Sequence, residues 1–163
     1  MVEEVTDPED DLTSFKLKPQ TERKLIFIRK MMEAVNTIVA AKFPDNPRHY
    51  VDMFSGVGKY VTERGSCCLG SPLIALNIRK KFTHFHFVEE KKKYFEVLER
   101  RVGQIVERKN IPRANVKLLY GDANRLVEEV LNGIKNYDPC FVFLDPFGLE
   151  MKNPKLPLGV SSD

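Results

Sequence analysis

The chain is 163 residues long, 42% hydrophobic and 30% charged, with a formal net charge of +3. That length and balance fit one soluble globular domain with a core of its own. No apolar run approaches the ~20 residues of a membrane-spanning helix, and the acidic start Met1-Val2-Glu3-Glu4 lacks a signal-peptide core, so a cytoplasmic protein with no membrane partner is expected.

Residues 1–19 are polar and acidic, with Pro8 and Pro19, and read as a loosely ordered N-terminal arm. Thr21 offers a helix N-cap. Leu25, Ile28, Met32, Val35, Ile38 and Val39 then recur mostly at three- and four-residue steps, which predicts a helix to about Lys42, ended by Pro44 and Pro47. Tyr50-Val51-Asp52-Met53-Phe54 reads as a short strand running into a glycine loop. A helix is expected over 72–82. His84-Phe85-His86-Phe87-Val88 is the next strand, closed by Glu89 and Glu90. Residues 91–109 form an amphipathic pattern with Phe95, Leu98, Val102, Ile105 and Val106 as its buried stripe, broken by Pro112. Val116-Lys117-Leu118-Leu119-Tyr120 is a third strand with Gly121-Asp122 as its exit, and 125–134 a short helix. Cys140-Phe141-Val142-Phe143-Leu144 is wholly apolar, which predicts a strand at a sheet centre covered on both faces.

Strands alternating with helices imply an α/β, Rossmann-like fold: a parallel sheet with helices on both faces. The organisation expected is an arm over 1–19, one cofactor-binding domain over 20–150 and a C-terminal tail over 151–163. About four strands make roughly half of a doubly wound sheet. The sheet is therefore expected to be C-terminally truncated, or to have its open edge covered by a protein partner or a second copy.

Three cysteines, two of them adjacent (Cys67, Cys68 and Cys140), suggest reduced thiols rather than a disulfide framework. His84 and His86 share a strand face but have no third ligand in evident reach, so no metal site is expected. The basic clusters Arg79-Lys80-Lys81, Lys91-Lys92-Lys93, Arg100-Arg101 and Arg108-Lys109 are read as solvated helix faces, with contact to nucleic-acid phosphate as the alternative.

In open α/β sheets ligands bind at the carboxyl ends of the strands. Here every strand ends in or near a carboxylate: Asp52, Glu89, Asp122 and Asp145. The first exit, Asp52-Met53-Phe54-Ser55-Gly56-Val57-Gly58, has glycines that let the backbone approach a ligand. Its third dinucleotide glycine is replaced by Val61, and no P-loop is present. An acid before such a loop suits a cationic ligand without phosphate; an ordinary strand turn is the plain alternative. Glu89 can accept two hydrogen bonds from a ribose diol, or serve as an acid at a helix start. Gly121-Asp122-Ala123-Asn124 offers an acceptor for an adenine amino group, or simply a helix cap. At Asp145-Pro146-Phe147-Gly148 the proline can aim its own carbonyl and the Asp145 carboxylate at one substrate amine, with Phe147 stacking on a flat base; a strand-ending turn is the alternative.

Taken together these exits resemble the S-adenosylmethionine-dependent methyltransferase superfamily. DMFSGVG is similar to the D-x-F-x-G-x-G cofactor loop of nucleic-acid base methyltransferases. DPFG resembles their [DNS]-P-P-[YFW] motif, departing at Phe147. A closer resemblance is to the three-Cys-motif partner family, carried by Thr21-Glu22-Arg23-Lys24-Leu25, the glycine loop, Gly70-Ser71-Pro72-Leu73-Ile74-Ala75-Leu76 and Phe143-Leu144-Asp145-Pro146-Phe147-Gly148. The resemblance implies S-adenosylmethionine as cofactor, held by Asp52, Phe54, Ser55, Gly56, Gly58, Glu89, Asp122 and Ala123. It implies Asp145, Pro146 and Phe147 at the acceptor, and methyl transfer to an amino group of a nucleic-acid base. A partner subunit that binds cofactor without catalysis is the second reading; a nicotinamide or flavin enzyme is a weaker third.

Overall fold

The computed structural model describes residues 2–79 and 81–145; Pro146 and Phe147 lie outside the described residues. The strands are β1 (Glu4–Thr6), β2 (Thr13–Lys16), β3 (His49–Asp52), β4 (Lys59–Val61), β5 (Cys67–Leu69), β6 (His84–Glu89), β7 (Val116–Tyr120) and β8 (Cys140–Phe143). The helices are α1 (Pro19–Lys42), α2 (Ser71–Asn77), α3 (Lys92–Arg108) and α4 (Ala123–Asn132).

The central sheet has the order β7-β6-β3-β8, and all three of its pairings are parallel. Side chains alternate across each strand. Tyr50, Phe85 and Phe87 therefore face one way, into the main core with Leu25, Ile28 and Met32 of α1, Leu73 and Leu76 of α2, and Leu98 and Val102 of α3. Val51 and Val88 face the other way and meet Ala123 and Val130 of α4. The chain is thus an α/β domain with helices on both faces of a parallel sheet. Each fully buried Phe or Leu here contributes about 1.5–3 kcal/mol over exposure.

Several local readings change. Residues 4–16 are not a loose arm: β1 and β2 form an antiparallel hairpin, and β2 pairs in parallel with β4. Its anchor is Arg101, which the polar appearance of Arg100-Arg101 placed on a solvated face. The side chain instead lies within the buried stripe of α3, bonded to Asp7, Asp10, Ser14 and the carbonyls of Thr13 and Val57. The first helix begins earlier than Thr21 suggests, with Lys18 as N-cap and Pro19 inside the first turn, where proline's missing N–H costs nothing. Its buried stripe is Leu25, Ile28, Met32 and Asn36. Ile38 falls two residues past that stripe and is 67% exposed.

The glycine loop does not lead into a helix. The hairpin β4–β5 follows it, turning at Gly65, and only then does α2 begin. Strands this short carry too little periodicity to read from sequence. The expected sheet centre at residues 140–144 is instead its edge among the described residues, because β8 pairs with β3 alone. Val142 and Leu144 are accordingly exposed.

Candidate ligand site at the strand exits

The sheet order places the site. From β3 the chain steps outward to β6 and β7, then returns to the other side of β3 as β8. That reversal makes the carboxyl ends of β3 and β8 a topological switch point, where open α/β sheets form their binding crevice. Asp52 ends β3 and pairs in register with Phe143, two residues before Asp145. The Asp52 loop and Asp145 therefore flank the switch point.

Asp52 is fully buried. One carboxylate oxygen accepts from Ser71 Oγ at 2.6 Å and Tyr50 Oη at 3.1 Å, the other from the Phe54 N–H at 3.1 Å. Burial lifts its pKa to about 6 against the pull of these donors. Its visible work is to shape the loop from within. Ser55 is also internal: its hydroxyl donates to the Asp52 carbonyl at 3.1 Å and its N–H to the Val88 carbonyl at 3.0 Å. Phe54 packs on the α4-side core.

Gly56 and Gly58 take φ of +60° and +81°, the left-handed region that side chains disfavour. A Cβ on Gly58 would also come within 3.0 Å of Leu73 Cγ. The Gly56 N–H donates to Glu89 Oε2 at 2.8 Å, while the Lys91 N–H takes Oε1 at 2.8 Å. Glu89 thus buckles the loop to the exit of β6. Burial raises its pKa, opposed by these backbone donors. The Glu90 N–H also acts on this carboxylate, which leaves one of its four acceptor positions open.

Asp122 caps α4, accepting the Asn124 N–H at 2.8 Å. The cap reading of this residue is the geometry present. Ala123 turns its methyl into the core beside Val51 and Val88, so only its backbone faces the exit. Asp145 is paired with the ammonium of Lys24 on α1.

Four participants carried no chemical role in the sequence reading. Tyr50 shares a strand face with Asp52, a signal that alternation could have supplied. Ser71 sits at the start of α2 within the Gly-Ser-Pro block. Lys24 and Tyr60 gave no local signal: the fold brings Lys24 to Asp145, and sets the phenol of Tyr60, on β4, where burial and then the Asp145 and Asp52 charges raise its pKa.

Two other clusters bear on ligands. His49 is the third histidine that sequence spacing did not find: its ring stacks on His84, and its Nδ1 lies 3.0 Å from His86 Nε2. Among the described residues, ligand atoms of Asp7, Glu9 and Cys67 lie close enough for an ion. Lys59 and Arg101 already neutralise that group, and burial with the Asp7 contact pushes the Cys67 thiol up to about 11, far from a thiolate ligand. One residue in each of three basic clusters is held, since Lys93 pairs with Glu4, Lys109 bonds the Leu76 carbonyl and Arg101 is interior, while Arg79, Lys81, Lys91, Lys92, Arg100 and Arg108 lie exposed as solvated faces do.

No described helix is long and apolar enough to cross a membrane. Compared with protein-family models and with curated proteins, the chain matches none of them.

Proposed function

We propose that the chain is an S-adenosylmethionine-dependent methyltransferase of Rossmann-like fold, acting on an amino group of a nucleic-acid base. The observation that carries this reading is the switch point itself. A left-handed Gly56–Gly58 loop buckled to Glu89 stands on one side of it, and Asp145 on the other.

The residues present fit this cofactor better than a dinucleotide. After Gly58 comes β4, not a helix N-terminus, so the usual seat of a pyrophosphate is missing. Carboxylates at neighbouring exits suit a ligand that sets an ammonium and a sulfonium against a single carboxylate and carries no phosphate. Glu89 retains an acceptor position for a ribose hydroxyl, and the backbone at Gly56 and Gly58 offers close approach without a side chain. Bound there, the cofactor would supply an electrophilic methyl group. The chain's own task would be alignment: Asp145 accepts a hydrogen bond from the acceptor amine and orients its lone pair, a proximity effect.

Calorimetry with S-adenosylhomocysteine is the test. Binding by the wild-type chain and its loss in Gly56→Val is the expected result. Absence of heat with both this nucleoside and S-adenosylmethionine would overturn the reading.

The exposed strand edge favours a second reading, a cofactor-binding subunit completed by a protein partner. Among the described residues β8 pairs with β3 alone, Val142 of β8 and Leu144 just after it are 42% and 38% exposed, and an apolar edge invites pairing. Methyl transfer to DNA, RNA or protein by the isolated chain would exclude it.

A further inference from the structure

Lys24 Nζ donates to Asp145 Oδ2 across 121 residues of sequence. Leu25 and Ile28 root this part of α1 in the main core, so the buried stripe of a surface helix fixes where the lysine stands at the exit of β8. Asp145 stands in the same electrostatic neighbourhood as the glycine loop. Burial first, and the Asp145 charge after it, raise both the Asp52 carboxyl and the Tyr60 phenol. Lys24 is a cation set against that concentration of negative charge.

We propose that Lys24 is a positioning residue that keeps Asp145 in a self-paired, closed state, and that an acceptor amine must displace its ammonium to reach the carboxylate. The proposal rests on the methyltransferase reading of the site. The Asp145 side chain is 31% exposed, and a half-buried carboxylate left without a partner is costly. An ammonium offers three donors and a full charge, whereas a base amino group offers two donors and no charge. The amine therefore competes at a disadvantage until the lysine leaves.

Leaving is feasible. The Lys24 side chain is itself 38% exposed, and its flexible stem can carry the ammonium into water. The pair also sorts ligands. A base edge with an amino group can replace the ammonium at Asp145. An edge that presents only a carbonyl there cannot, and the latch stays shut against it. Half-exposed ion pairs of this kind alter equilibria by up to about fivefold, a scale suited to selection rather than to permanent closure.

The test uses the full chain saturated with S-adenosylhomocysteine, titrated with adenosine and with purine riboside, which lacks the amino group and has no other donor on that edge, and followed by amide shifts of Leu144 and Asp145. Lys24→Met is expected to tighten adenosine about three- to fivefold and to leave purine riboside unchanged. Lys24→Arg should restore the weaker binding, and Asp145→Asn in the Lys24→Met background should remove the gain. Loss of a merely structural contact would not tighten one nucleoside selectively. Equal adenosine affinity in Lys24→Met and wild type, or no adenosine binding in either, overturns the latch while the bound S-adenosylhomocysteine upholds the site reading. Failure of the wild type to bind S-adenosylhomocysteine overturns both.

Discussion

The Gly56 N–H and Glu89 Oε2 meet at 2.8 Å, joining the loop after β3 to the last residue of β6. The same carboxylate takes the Lys91 N–H, so one side chain orders two stretches of backbone. Glu89→Ala leaves both N–H groups without their acceptor, which costs about 1–3 kcal/mol of stability. Affinity for S-adenosylhomocysteine should fall about tenfold or more. Glu89→Gln keeps one acceptor oxygen and should lie between. Urea unfolding and calorimetry on the three proteins check the order.

Asp52 links the loop to pH. Burial holds its carboxyl at about 6, above the value of about 3.9 for an unfolded chain. Between those values the native state binds more protons, so this contribution is present below about pH 4 and lost as pH rises through 6. The stability of the wild type relative to Asp52→Asn should therefore drop by roughly 2 kcal/mol between pH 4 and pH 8. A flat difference across that range would mean the carboxyl is not held in this way.

The histidines act in the opposite sense. Burial, then the His49, Lys117 and His84 charges, bring His86 down to about 4. His49 and His84 are lowered too, with Asp138 opposing both shifts. The unfolded chain takes up protons first, near pH 6.5, so this stability is complete above 6.5 and is lost as pH falls toward 4. His86→Gln should show roughly 2 kcal/mol less acid destabilisation over that interval, measured by thermal melts at fixed ionic strength.

Arg101 holds the hairpin β1–β2 to α3 through Asp7 and Asp10. Burial raises Asp10, but the Arg101 guanidinium and the Leu12 N–H carry it down to about 2. Arg101→Met leaves Asp7 and Asp10 to share Lys59 and should cost up to about 3–5 kcal/mol. Adding Asp7→Asn and Asp10→Asn should recover part of that loss, since the excess of buried negative charge, more than the lost pair, carries the penalty. Denaturant midpoints, with proteolysis in residues 4–16 as a local probe, measure both effects.

Much of the frame was legible in the sequence. The strands at Tyr50, His84, Val116 and Cys140, the amphipathic run of α3 and the acids at the strand ends all follow from period and turn chemistry, which involve residues a few positions apart. What failed was also physical. A hairpin as short as β4–β5 has no period to read. The polar character of residues 4–16 concealed a hairpin whose acids are neutralised by an arginine some ninety positions away. The apolar run of β8 signalled burial, yet exposure depends on how many neighbours a strand pairs with.

By itself the sequence determined that strands alternate with helices and that carboxylates stand at the strand exits, because these properties are written in local spacing. Tertiary structure decided which exits adjoin one another, that Asp52 is enclosed by Tyr50, Ser71 and Phe54, that Glu89 clasps Gly56, and that Lys24 meets Asp145. Those relationships depend on strand order and register, and register is set by the packing of the whole sheet rather than by any one segment.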